Sequence, residues 1–115
     1  MALPISTSSD RRANPRHPFR TAATLTLQDK TVVQARALDI SMSGAGVVSD
    51  LNLKVGAKVV LDMRVPARPS GSASFQAKAT VMNCTLASSD GGFRLGLEFE
   101  PLGSAAQAAL KSVLP

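Results

Sequence analysis

The chain has one cysteine, one histidine, no tryptophan and no tyrosine. A single thiol, Cys84, allows neither an internal disulfide nor a thiolate metal cluster, and it is the usage expected of a reducing compartment, so the cytoplasm is the expected location. Cys84 falls within a strand pattern, where a small buried hydrophobe is expected rather than a nucleophile. The lone His17, between an arginine and a proline, has no base, nucleophile or metal partner at a recognisable spacing, which argues against catalysis. Glu98 and Glu100 share one face of a strand, and a solvated face explains them as well as an acid/base pair does. No enzyme, metal or cofactor is expected. Four phenylalanines are the only aromatics, and none sits in the paired stacking arrangement of single-strand nucleic-acid binders. No run approaches the ~18 apolar residues of a membrane helix, and Met1-Ala2-Leu3-Pro4-Ile5-Ser6 lacks the basic and apolar regions of a secretory leader. Neither secretion nor membrane insertion is expected.

What remains is a chain of 115 residues, enough for one domain with a modest core. Hydrophobic residues make up 44%, and 17 of them are alanine, so the core must be built from Leu, Val, Ala and a few Phe. The formal net charge is +5. Residues 1–20 carry +3 of it through Arg11, Arg12, Arg16 and Arg20 against Asp10, which concentrates the attraction for an anionic partner at the amino terminus.

Residues 1–18 read as a basic arm, because Ser6 to Ser9 are small and polar and Pro15 and Pro18 interrupt any helix. Residues 19–101 read as strands. Thr21 to Leu27 alternates, Gln28-Asp29-Lys30 supplies a turn, and Thr31 to Ile40 forms the second arm of a hairpin. A small-residue loop, Asp39 to Gly46, precedes the short apolar Val47-Val48. Val59, Leu61, Met63 and Val65 alternate up to Pro66; Phe75, Ala77, Ala79 and Val81 alternate in a longer strand that loosens toward Leu86. Phe93, Leu95, Leu97 and Phe99 mark the clearest strand. Residues 102–115 read as a helix whose apolar stripe, Leu102, Ala106, Ala109, Leu110 and Val113, should lie on the barrel or cap its end. Six strands and a terminal helix predict an all-β fold, a small antiparallel barrel closed to hide its edges.

Two clusters carry chemistry. Arg11-Arg12-Ala13-Asn14-Pro15-Arg16 offers guanidinium groups that can bond guanine O6 and N7 bidentately, pair with phosphate or stack on a purine. Asp39-Ile40-Ser41-Met42-Ser43-Gly44 offers a carboxylate that complements the donors on a guanine edge and a hydroxyl able to donate to phosphate. Gly44 is expected to turn the loop with a positive φ so that backbone N–H groups converge on an anion. R-x-x-x-R arises by chance in roughly half of shuffled chains of this composition, and D-x-S-x-x-G in only about a few per cent. The plain alternative is a solvated tail and a tight turn in which Asp39 caps backbone amides.

Together and in this order, the two clusters resemble the PilZ domain family, whose signature is R-x-x-x-R on an amino-terminal arm and [D/N]-x-S-x-x-G after the second strand. Arg12 and Arg16 match the first motif; Asp39, Ser41 and Gly44 match the second; and Phe93 to Phe99 is similar to the family's closing strand. The resemblance implies a six-stranded split barrel with a C-terminal helix that binds cyclic di-GMP between arm and barrel, with Arg12 and Arg16 clasping guanine and phosphate and Asp39 reading a guanine edge. Ser41 and the Gly44 loop would hold phosphate or base. Arg11, just before the motif, is associated in the family with an intercalated ligand dimer. The implied role is a monomeric receptor whose arm orders on binding and signals to a downstream protein. Two rivals stay open at this stage, a small basic barrel for single-stranded nucleic acid and an adaptor of the same fold acting through protein contacts.

Overall fold

The computed structural model describes residues 17–66, 71–87 and 91–114. In chain order these form β1 (His17–Leu27), β2 (Val32–Ile40), β3 (Gly44–Ser49), β4 (Lys58–Pro66), β5 (Ser72–Ala87), β6 (Gly92–Phe99) and α1 (Ser104–Lys111). Around the sheet the order is β1-β2-β3-β6-β5-β4, and β4 pairs back onto β1, so the barrel is closed with every neighbour antiparallel. Closure satisfies the backbone groups that an open six-stranded sheet would leave at its edges.

Strict alternation puts one face of each strand inside. On β4, Val59, Leu61, Met63 and Val65 are buried; on β5, Phe75, Ala77, Ala79 and Val81; on β6, Leu95 and Leu97. With Leu25, Ile40, Val47 and the smaller Ala23, Val33, Ala35, Ala37 and Ala45 they fill a narrow interior, where small side chains suit a six-stranded barrel. Phe75 is the largest fully buried side chain, and its ring tilts against Phe99 with centroids 5.5 Å apart.

β1 begins at His17, two residues before the expected boundary at Phe19, because His17 pairs with Ile40 and Pro18 with Asp39. Proline is tolerated at the start of a strand, where a missing N–H costs little. β3 is a full strand of six buried residues that begins at Gly44, inside the segment read as a loop preceding the short apolar Val47-Val48. It lies between β2 and β6, and Gly44 and Gly46 have no side chain to expose, so no polar/apolar alternation marks it.

β5 is the longest strand, and its register against β6 slips between Val81 and Asn83. The extra residue leaves Met82 and Asn83 both exposed and reverses the inside/outside phase after them. Cys84 is thereby turned inward opposite Leu95 and packs half-buried against the core, and its Sγ–H donates to Asn52 Oδ1 at 3.1 Å.

The β1–β2 turn is held by Lys30 N–H to Leu27 O at 2.9 Å and Leu27 N–H to Thr31 O at 2.8 Å, with Lys30 in the left-handed region at φ 77°. Asp29 Oδ1 accepts the Thr31 N–H at 3.0 Å, and that bond holds the carboxyl below its ordinary value. The helix lies against β5 and drives Leu110 fully into the core, with Leu102, Ala106, Ala109 and Val113 packed beside it, as the apolar stripe predicted. Ser112 Oγ–H donates to Pro66 O at 3.0 Å, which fixes the helix end to the last residue of β4.

Two outcomes test this packing. Leu110→Ala should lower the unfolding free energy by ~2–5 kcal/mol in urea titration, since the removed atoms leave a cavity at a fully buried site. Because the Asp29 carboxyl is depressed in the folded state, its contribution is present above the unfolded aspartate value and fades as pH falls through the folded one. Asp29→Asn should therefore flatten the stability–pH slope below about pH 4, and leave stability at higher pH slightly reduced.

Candidate functional site

The β2–β3 connection brings Asp39, Ser41 and Gly44 into one tight corner. Ser41 is only 1% exposed. Its Oγ accepts the N–H groups of Gly44 and Ser43 at 3.1 and 3.2 Å, while Ser41 N–H donates to Gly44 O at 2.8 Å. Asp39, half-buried, accepts the Gly46 N–H on Oδ1 at 3.0 Å, beside the register slip between Ala37 and Asp39 where β2 carries an extra residue. The amides expected to converge on an anion are thus already bonded: the Ser41 hydroxyl closes a local turn on Ser43 and Gly44, and Asp39 reaches across to Gly46 on β3.

Gly44 also departs from expectation. Positive φ angles occur among the described glycines at Gly56, Gly71 and Gly91, and not at Gly44. Its role is close approach: it pairs with Glu98, and a Cβ there would run into the carbonyl oxygen of Leu97. Phe99 N–H donates to Ser43 O at 2.8 Å, so the corner is also tied to the end of β6.

The register lays out the outer face beside this corner. One row runs Asp39, Gly46, Gly96 and Asn83 across β2, β3, β6 and β5. The two glycines in the middle are buried: the Asp39 carboxylate holds the Gly46 N–H, and the Asn83 side-chain amide lies over Gly96 where a side chain would begin. The next row runs Arg36, Val48, Arg94 and Thr85. Both arginines are exposed, whereas Val48 between them is buried although it lies outside the core cluster. Strand alternation places Arg36 and Arg94 on the outside. It gives no sign that they are neighbours, because the β3–β6 pairing joins segments some fifty residues apart in sequence.

Arg11, Arg12 and Arg16 lie outside the described residues. Their tether does not: His17 pairs with Ile40, so the segment preceding β1 is attached within one or two residues of Ser41. Among the described residues no group of three or more His, Cys, Asp and Glu could hold a metal ion, and no helix is long and apolar enough to cross a membrane.

A family model for the PilZ domain matches residues 10–114. The chain belongs to the PilZ domain family. No curated protein matches it at a significant level. Among solved structures, this PilZ domain is similar to the Bacillus subtilis inhibitor of motility MotI/DgrA, with TM-score 0.73 and 19% identity over 89% of this chain; it spans 49% of that protein's length, about half. It is also similar to the PilZ domain of YcgR from Escherichia coli, solved with c-di-GMP, with TM-score 0.68, 15% identity and coverage of 90% of this chain and 88% of that one. The PilZ domain of CeSA from a cellulose-synthesizing bacterium gives TM-score 0.62 and 16% identity over 85% of this chain and 92% of that one. At these identities the likeness establishes the fold.

Gly44→Ala should cost ~1–3 kcal/mol in chemical denaturation, because the new methyl group meets backbone that must shift. The amide resonances of Gly44, Leu97 and Glu98 should move with it; a silent substitution would mean that β3 and β6 do not approach this closely.

Proposed function

We infer that this PilZ domain is a receptor for cyclic di-GMP that orders its amino-terminal arm over the Asp39–Gly44 corner and signals through the surface so formed to a downstream protein. The observation that carries the reading is the pairing of His17 with Ile40 and Pro18 with Asp39, which tethers the arginine-bearing segment at the carboxylate corner. Arg16 precedes His17 by one residue and Arg12 by five, so at ~3.3–3.6 Å per residue Arg12 has a reach of about 17 Å. That reach is enough to span the row from Asp39 to Asn83, three strand spacings of ~4.8 Å.

The residues then take distinct roles. Arg12 and Arg16 clasp guanine and phosphate, and Arg11 extends the grip. Asp39 keeps acceptor capacity while holding Gly46 N–H, since a carboxylate offers roughly four lone-pair sites, and it receives the donors of a guanine edge. Ser41 and Gly44 act by holding the corner in shape, the first through its buried hydroxyl and the second by admitting β6.

Magnitudes favour a ligand with two bases and two phosphates. Ordering the five residues Arg12 to Arg16 costs ~5–10 kcal/mol of backbone entropy, and a hydrogen bond to a charged group nets ~1.5–3 kcal/mol. About four such bonds are needed, the number that two bidentate guanidinium groups supply. A mononucleotide meets them with one guanine edge and one phosphate, and a cyclic dinucleotide with two of each, which leaves acceptors and donors for Arg11 and Asp39 as well.

Calorimetric titration tests the reading. Cyclic di-GMP should bind far more tightly than GMP or a single-stranded oligonucleotide, and Arg16→Ala or Asp39→Ala should each weaken binding by ~1–3 kcal/mol with the fold retained. Equal binding of the oligonucleotide would replace the receptor with a nucleic-acid module.

A further inference from the structure

On the side of the barrel opposite β3, the outer face of β4 carries a cleft of about 370 Å³ lined by Lys30, Lys58 and Lys78 together with Leu27, Val60 and Glu100. A second cleft of about 470 Å³ shares Val60, Lys78 and Glu100 and continues past Gln76 to Pro101, Leu102 and Gly103. The two form one groove with an apolar floor. The register explains it: Val60 lies between Thr26 on β1 and Lys78 on β5, Lys58 lies opposite Thr80, and the β1–β2 turn presents Lys30 at the rim.

The groove already holds one carboxylate. Glu100 Oε2 lies 3.8 Å from Lys58 Nζ, with the two side chains 42% and 52% exposed, while Lys58 Nζ–H donates to Thr80 Oγ1 at 2.9 Å. An ion pair so long and so exposed is weakly held and readily exchanged for another carboxylate. Glu100 is positioned by its backbone, its N–H donating to Lys78 O at 2.8 Å, so it fills one of several cationic positions and leaves the groove with an excess of positive charge.

We propose that this lysine groove docks an extended acidic segment of a protein partner, whose carboxylates engage Lys30, Lys58 and Lys78 and displace Glu100 from Lys58. Three lysines around Val60 and Leu27, continuing to Pro101 and Leu102, suit a peptide with alternating acidic and apolar side chains, and the resident carboxylate is the ligand chemistry in place. This docking is independent of what binds at the Asp39 corner.

The test uses the full chain, labelled for amide NMR, and a synthetic Glu-Leu-Glu-Leu-Glu-Leu peptide as probe. Saturable shifts should appear at residues 26–30, 58–60, 76–80 and 100–103 and disappear at high salt, where exposed charge pairs are screened. Lys58→Gln and Lys78→Gln, both at exposed positions, should each weaken the peptide about 2–5-fold, whereas Glu100→Gln should tighten it by a similar factor by removing the internal competitor. The opposite response of Glu100→Gln separates a docking groove from a merely basic surface. Shifts confined to residues 10–16, weakening by Glu100→Gln, or stronger groove shifts with an oligonucleotide or with phosphatidylglycerol vesicles than with the peptide would each overturn the proposal.

Discussion

Everything in this barrel depends on how closely β3 can approach β6. β3 is the strand that joins the β1–β2 hairpin to the β4–β5–β6 half, and at Gly44 the facing backbone of Leu97 stands where a side chain would begin. Without that approach the sheet has two free edges and no closed core, because Ala45 and Val47 could not reach Leu95 and Leu97. The same contact sets the corner. Ser41 draws in the amides of Ser43 and Gly44, and Ser43 O receives Phe99 N–H, so the turn carrying Asp39 is braced on both sides by the closure it makes possible.

How much of this was legible in the sequence differs from strand to strand for physical reasons. β4 and β6 could be read directly, since one face meets the core and the other meets water, and their buried residues are the ones the alternation picks out. β3 could not, because a strand of glycine, alanine and valine whose six residues are all buried has no two-residue period to detect. The bulge after Val81 was visible only as a loosening of the pattern, and the inward turn of Cys84 against the core follows from it.

The candidate site divides in the same way. Asp39, Ser41 and Gly44 stand together as the spacing predicted, since a turn of six residues needs only local geometry. One local expectation differs: the glycine makes room for β6 rather than turning the chain with a positive φ, while the buried serine hydroxyl accepts the amides of Ser43 and Gly44. Arg36, Arg94 and Asn83 escaped notice because their shared outer face is created by pairings across the whole chain. Hydrophobic period reports which side a residue faces. It carries no information on which distant strand lies beside it.

The closed core also constrains how a signal could leave the domain. Six strands without a free edge, filled by side chains of matched size, form a body that resists continuous deformation. Ligand binding at the corner therefore has little to bend, and on the proposed reading the change must fall on the segment outside the barrel, which joins it at the His17–Ile40 pair. The lysine groove lies on the opposite wall, joined to the corner through β1, which pairs with Asp39 at Pro18 and with Val60 at Thr26, and through the Ser43–Phe99 and Glu100–Lys78 bonds at the end of β6. A rigid wall between two sites favours additive recognition over shape change: one surface is remodelled by the arm, the other is permanent, and a partner that touches both reads the ligand without any strand having to move.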